Sequence, residues 1–172
     1  MDFKDYIAIT EDFPTKGISF KDMSPLLRNP EAFKKASDQL SDYAREMNPT
    51  VIIGPEARGF IFGTVIAYNL GLGFVMARKD GKLPGKTLQA KYSLEYGYSC
   101  INLPWDSIKK GDRVVLVDDL LATGGTLDAL VRLCNDVGAE VVGCITLIEL
   151  TKVRSDKFLK GINVKSLIQY DF

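Results

Sequence analysis

The chain has 172 residues, 46% of them hydrophobic, which fits one globular domain with a sizeable core and argues against disorder. Its 22 basic and 22 acidic residues cancel, so no global basic field exists to hold nucleic acid. Histidine is absent; this excludes histidine triads, histidine metal sites and a histidine general base, and leaves proton transfer to a carboxylate, Lys, Tyr, Cys or water.

The first residues, Met-Asp-Phe-Lys-Asp-Tyr, lack the basic and apolar regions of a signal peptide. The most apolar segment, residues 59–75, is broken by Gly63, Thr64, Asn69, Gly71 and Gly73, so it reads as a core helix and strand, not a membrane span. Cys100, Cys134 and Cys144 lack metal-ligand spacing and are odd in number, which fits reduced thiols and a cytoplasmic protein.

Residues 11–28, divided by Pro14, Gly17 and Pro25, predict a loop-rich segment with one extended piece at 18–20. Asn29-Pro30 predicts a helix start, with Asn as cap and Pro at the first position; Phe33, Ala36, Leu40, Tyr43 and Met47 follow at spacings of three and four. A short buried strand is expected at 50–53. The polar turn Gly54-Pro55-Glu56-Ala57-Arg58-Gly59 ends it, and an apolar helix follows at 60–70, closed by Gly71. Arg58 at a helix start opposes the dipole, so it reads either as an exposed arginine or as one compensated by a bound anion.

The next strand is expected at 73–77. Of the nine residues 78–86, four are basic and one acidic, which reads either as solvated surface or as a polyphosphate site at a strand's C-terminal end. Gly85-Lys86-Thr87 is not a P-loop, because that motif needs glycine where Asp80 stands. Residues 88–103 carry no strong core pattern and read as a surface hairpin, of the kind that serves as a mobile lid. Val114-Val115-Leu116-Val117 predicts a strand buried on both faces, ended by Asp118-Asp119. The turn Ala122-Thr123-Gly124-Gly125-Thr126 then leads into a helix whose face is Leu127, Leu130, Val131, Cys134 and Val137, closed by Gly138. Strands at 141–150 and 164–170 complete an α/β chain with a mainly parallel central sheet flanked by helices.

The turn at 122–126 has the makings of a phosphate site: outward N–H groups at a helix start, two threonine hydroxyls, and two glycines that let an anion reach the backbone. Two carboxylates beside it would repel a bare phosphate. They make sense if the ligand also carries hydroxyls or a cation, as a sugar phosphate does.

Val-Asp-Asp-Leu-Leu-Ala-Thr-Gly-Gly-Thr, with Glu-Ala-Arg-Gly-Phe at 56–60, Arg-Lys-x-Gly-Lys-Leu-Pro-Gly at 78–85 and Leu-Glu-Tyr-Gly at 94–97, resembles the type I phosphoribosyltransferases, and specifically their adenine-using branch. The resemblance covers nearly the whole chain. It implies the type I fold over residues 1–172 as a single domain, with an N-terminal hood at 1–28 and a flexible catalytic loop at 82–105. The implied reaction is adenine plus phosphoribosyl pyrophosphate (PRPP) giving AMP and pyrophosphate, with Mg²⁺ bound through PRPP rather than by protein side chains, in a homodimer.

By the same resemblance Asp118 and Asp119 hold the ribose hydroxyls, and Ala122, Thr123, Gly124, Gly125 and Thr126 hold the 5′-phosphate. Glu56, Ala57, Arg58, Lys79 and Lys82 serve pyrophosphate, with a cis peptide expected before Ala57, and Arg78 reaches the partner subunit's site. Ser19, Phe20 and Lys21 lie at the adenine, Ser19 through its backbone. Glu95 is the acid/base at N7, and Tyr96 packs over the site. In the hypoxanthine–guanine type an aspartate acid/base stands just before Thr-Gly; Ala122 holds that position here and counts against a 6-oxopurine. Xanthine and orotate enzymes are disfavoured by the hood and the Leu-Glu-Tyr-Gly loop. A PRPP-sensing regulator would need a DNA-binding module or a basic face. Pro104-Trp105 is not the expected return from the hairpin.

Overall fold

The computed structural model describes residues 1–94 and 96–171. A seven-stranded sheet organises it, in the order β5-β6-β4-β3-β7-β8-β9. The strands are β3 (Val51–Pro55), β4 (Gly73–Lys79), β5 (Thr87–Leu94), β6 (Gly97–Pro104), β7 (Arg113–Leu121), β8 (Glu140–Leu150) and β9 (Val164–Tyr170). β4, β3, β7, β8 and β9 run parallel, and β5 and β6 antiparallel at one edge. A two-stranded ribbon, β1 (Ala8–Thr10) and β2 (Phe20–Asp22), precedes them, followed by α1 (Ser24–Arg28) and α2 (Pro30–Glu46).

The sheet separates two apolar cores because β side chains alternate. Ile53, Val114 and Leu116 face α4 (Gly125–Val137), joining Leu127, Leu130 and Cys134. Ile52, Val115 and Val117 face α2 and α3 (Gly59–Leu70), joining Ala36, Leu40, Phe62 and Ile66. The predicted start of α2 is as expected: Pro30 opens it, and the Asn29 side chain accepts from Ala32 N–H at 2.9 Å. Gly71 ends α3 in the left-handed region. Among the described residues no helix is long and apolar enough to cross a membrane.

Four expectations are corrected. The extended piece at 18–20 lies instead at Phe20–Asp22, paired with Ala8–Thr10. β4 continues through Arg78 and Lys79, because these residues pair with Asn102 and Ile101 of β6. That pairing makes the hairpin a continuation of the sheet with a core of its own: Ala90, Ile101 and Leu103 are buried with the α4-side core. The aspartates do not end β7. Its pairing with β8 runs on through Asp118↔Thr146, Leu120↔Ile148 and Leu121↔Glu149, so the ladder outlasts the apolar run.

From β3 the chain passes to β4 on one side, and after the hairpin returns to β7 on the other. The carboxyl ends of β3 and β7 therefore flank a topological switch point, where open α/β sheets bind ligands.

Candidate active site

Two strand–turn–helix units meet at that point. In the first, β7 delivers Asp118 and Asp119 and then turns into α4. Gly124 caps α4 with φ 96°, a conformation that L side chains rarely adopt. Thr123 Oγ1 accepts from Gly125 N–H at 3.4 Å, a local tie that shapes the turn. Asp118 and residues 120–127 line a cavity of about 130 Å³. Asp119 is buried, and its N–H donates to Asp118 Oδ1 at 2.8 Å. Burial, and next the Asp119 carboxylate, push the Asp118 carboxyl well above its usual range, with Arg58 opposing.

In the second unit β3 turns into α3 through a cis peptide between Glu56 and Ala57, at the expected place. No side chain caps α3. Arg58 precedes it, half-exposed, with Nε 3.0 Å from Asp119 Oδ2. Its guanidinium also lies 5.8 Å from the centre of the Phe20 ring. The arginine that the sequence reads as ill placed for the dipole thus spans from the β7 carboxylates to the N-terminal segment. Gly59 makes this approach possible: a Cβ there would sit 2.9 Å from Pro55 Cδ and 3.0 Å from Asp118 Oδ1.

Glu56 faces the end of β4. Its carboxylate accepts from Lys79 N–H at 2.6 Å and from Arg78 Nε at 3.2 Å. Burial alone would raise its pKa; these hydrogen bonds and the two cations outweigh it and hold the group below the ordinary value. Lys79 and Lys82 are exposed around the following turn.

In the N-terminal segment the Phe20 ring meets Phe13 edge-on at 5.3 Å. Ser19 Oγ donates to Glu11 Oε1 at 2.8 Å and accepts from Lys21 Nζ at 2.6 Å. Lys21 is only 4% exposed, and its ammonium lies 4.9 Å from the centre of the Tyr170 ring on β9. Burial lowers its pKa, with Glu11 opposing. Its charge is thus engaged within the ribbon and against β9.

The fold therefore brings together Glu56, Ala57 and Arg58, residues 118–126, and Phe20. Tyr96 is almost fully exposed beyond β5. Glu95 lies outside the described residues. Sequence reasoning missed residues 151–162, where Ser155 N–H donates to the Thr123 carbonyl at 3.1 Å and Leu159 N–H to Asp128 Oδ1 at 3.0 Å. No periodicity marks that stretch.

Residues 22–170 match the phosphoribosyl transferase domain. The chain is 53% identical over 171 residues to an adenine phosphoribosyltransferase of Clostridium kluyveri, covering 99% of both chains. A crystal structure of adenine phosphoribosyltransferase from Thermoanaerobacter pseudethanolicus superposes with a TM-score of 0.93 at 45% identity, covering 98% of each chain. The Saccharomyces cerevisiae enzyme, complexed with an imino-altritol bisphosphate and adenine, superposes with a TM-score of 0.88 at 36% identity, covering 96% of each. On the strength of both the domain match and these full-length likenesses, the chain belongs to the adenine phosphoribosyltransferases of the type I phosphoribosyltransferase family.

Proposed function

We propose that the protein transfers the 5-phosphoribosyl group of PRPP to N9 of adenine, giving AMP and pyrophosphate in purine salvage. The observation that carries this reading is the meeting of two unlike grips at the β3/β7 switch point: paired aspartates above a backbone cradle on one side, and an arginine turn on the other, 3.0 Å apart at Arg58 and Asp119. A ligand with ribose hydroxyls, a 5′-phosphate and a second anionic group matches that set. The adenine bound to the yeast relative supports the choice of base.

In this reading Asp118 and Asp119 accept hydrogen bonds from the ribose hydroxyls, and residues 122–126 donate to the 5′-phosphate. Backbone N–H groups of the Glu56-Ala57-Arg58 turn, the Arg58 guanidinium, Lys79 and Lys82 receive the pyrophosphate. The Glu56 carboxylate, itself anionic, serves by holding Arg78 and Lys79 in place. Phe20 and the Ser19 backbone bound the adenine, and Lys21 stiffens the ribbon that carries them. Arg78 completes the partner subunit's site in a cytoplasmic homodimer, and residues 1–172 act as one catalytic unit.

The bond from C1′ to the pyrophosphate oxygen breaks with its electron pair leaving on pyrophosphate, and the N9 lone pair forms the new bond as the base gives up its N7 proton to the Glu95 carboxylate. Glu95, reaching N7 with Tyr96 packed over it, sets the tautomer in which N9 is nucleophilic; such help is worth about 10²–10⁴-fold. Positioning by the two grips supplies the larger share. No side chain is assigned to Mg²⁺, which would be held through PRPP; Asp119 is already paired with Arg58, and the ion would supply charge neutralisation for the departing pyrophosphate.

A pyrophosphate-release assay with PRPP and, separately, adenine, hypoxanthine, guanine, xanthine and orotate tests the reading. Release with adenine alone is expected. Release with a 6-oxopurine instead would overturn the choice of base, and no release with any would overturn the reaction.

A further inference from the structure

We propose that residues 151–162 are a positioning device for the 5′-phosphate turn, in which the Ser155 N–H holds the Thr123 carbonyl and thereby aims the Gly124 N–H at the phosphate. This rests on the phosphoribosyl reading above.

A peptide unit is planar and trans, so its C=O and N–H point in opposite directions. The Thr123 carbonyl accepts from Ser155 N–H at 3.1 Å. The amide of Gly124, in the same peptide plane, therefore points away from residues 151–162. Rotation of that plane would turn a carbonyl oxygen toward an anion in place of a donor. Within the turn, Thr123 Oγ1 supplies only a long tie, accepting from Gly125 N–H at 3.4 Å, and residues 122–125 are small, two of them glycines with little rotational restriction.

The outside segment is itself fixed at several points. The Asp128 carboxylate, in the first turn of α4, accepts from Leu159 N–H at 3.0 Å through one oxygen, while the other lies 3.8 Å from Arg132 Nε. Leu159 is buried, and added Cβ atoms at Gly124 and Gly125 would lie 3.4 Å from Leu159 Cδ1 and 3.5 Å from the Phe158 ring. Just before Ser155, Arg154 Nη1 donates to Glu149 Oε1 at 2.9 Å. Glu149 is a buried carboxylate that also accepts from Ser166 Oγ and Gln169 Nε2 of β9. It stands opposite Leu121 in the β7–β8 register, the last strand residue before the turn. Arg154 thus anchors Ser155 to the strand pair from which the turn springs. Arg154 and Ser155 are positioning residues, acting through Thr123.

The test is calorimetric titration of ribose 5-phosphate and, separately, magnesium pyrophosphate into wild type, Ser155→Pro, Arg154→Ala and Arg154→Lys. Proline removes the one N–H in question without altering a side chain in the cleft. The expected result for Ser155→Pro is a loss of about three- to tenfold in ribose 5-phosphate affinity, with pyrophosphate affinity unchanged. Arg154→Ala should show the same split and Arg154→Lys should restore most of it. A merely structural role would weaken both ligands together. Equal losses for both, or none in a folded variant, would overturn the proposal. If Ser155→Pro does not fold, the Arg154 pair decides by the same split. Wild type that binds neither ligand would sink the phosphoribosyl reading itself, and this proposal with it.

Discussion

The β3–α3 and β7–α4 turns are the same topological element, side by side in one sheet, yet they present opposite chemistry. At β3–α3 the helix start has no side-chain cap and is preceded by an arginine, and the nearby carboxylate of Glu56 is turned to Arg78 and Lys79. At β7–α4 a left-handed glycine opens the helix and two carboxylates stand before it. Each alone is ill balanced, one cationic and the other with a buried anion. Together they offset each other through the Arg58–Asp119 ion pair. Helix starts and glycines make both turns receptive to anions; the side chains decide which part of a ligand each takes. A substrate with a phosphate at one end and a diphosphate at the other, joined by a diol, is complementary to that division.

The sharpest way to break the comparison is to ask whether either turn moves a proton. In the reading above both only grip, and Glu95 does the acid–base work. Glu95→Gln should then lower kcat by about 10²–10⁴-fold with PRPP affinity little changed. Asp118 is the competitor, since its raised pKa is the kind of perturbation that marks catalytic acids. Parallel kcat–pH profiles of Glu95→Gln and Asp118→Asn settle it; a larger kcat loss for Asp118→Asn would move the acid–base role into the β7–α4 turn.

Next in size is the ion pair that joins the two grips. Asp119→Asn should weaken PRPP binding by about 10–100-fold, as expected for losing charge-assisted hydrogen bonds to ribose hydroxyls. Arg58→Ala should weaken pyrophosphate more than ribose 5-phosphate. The division of labour fails if calorimetry shows Arg58→Ala acting on ribose 5-phosphate alone. Arg58→Lys keeps the charge but not the fork, and should recover only part of the loss.

Gly59→Ala tests whether the turns must touch. Its Cβ would press on Pro55 Cδ and on Asp118 Oδ1, so one turn has to withdraw. A stability loss of about 1–3 kcal/mol is expected, as for overpacking, together with weaker PRPP binding. Unchanged Tm and affinity would mean that the turns have slack between them.

Much of this arrangement is legible in the sequence, because both turns are bounded by strongly patterned elements. Apolar runs mark β3 and β7, and Gly71 and Gly138 end their helices. What escapes detection depends on pairing or on tertiary partners. The hairpin reads as surface because its core residues Ala90, Ile101 and Leu103 stand among polar neighbours, and only the pairing of β6 with β4 makes it part of the sheet. The resemblance places Lys21 beside the base; that this lysine is buried against Ser19 and against Tyr170, far along the chain, is a matter of tertiary partners that no local pattern shows. Residues 151–162 reach the β7–α4 turn through one backbone hydrogen bond and through Phe158 and Leu159, apolar residues in a stretch with no periodicity to mark them.

The smallest effect expected is on stability, and it tests whether the β7–α4 turn is strained by its own charge. The folded-state pKa of Asp118 is raised by burial and then by Asp119. A raised carboxyl contributes fully to stability only below its unfolded value, and that contribution is lost as pH rises through the folded value. The ionised carboxylate is therefore a cost to the ligand-free protein on the alkaline side of that range. Asp118→Asn removes the charge, and its Oδ1 can still accept the Asp119 N–H. The variant should melt a few degrees above wild type near pH 8, and the difference should shrink on acidification and vanish below the ordinary carboxylate range, near about 4. Saturating ribose 5-phosphate should narrow the gap at pH 8, since diol hydroxyls would solvate the wild-type carboxylate and not the amide equally. A Tm difference independent of pH would show that the Asp118 carboxylate is not strained in the ligand-free protein.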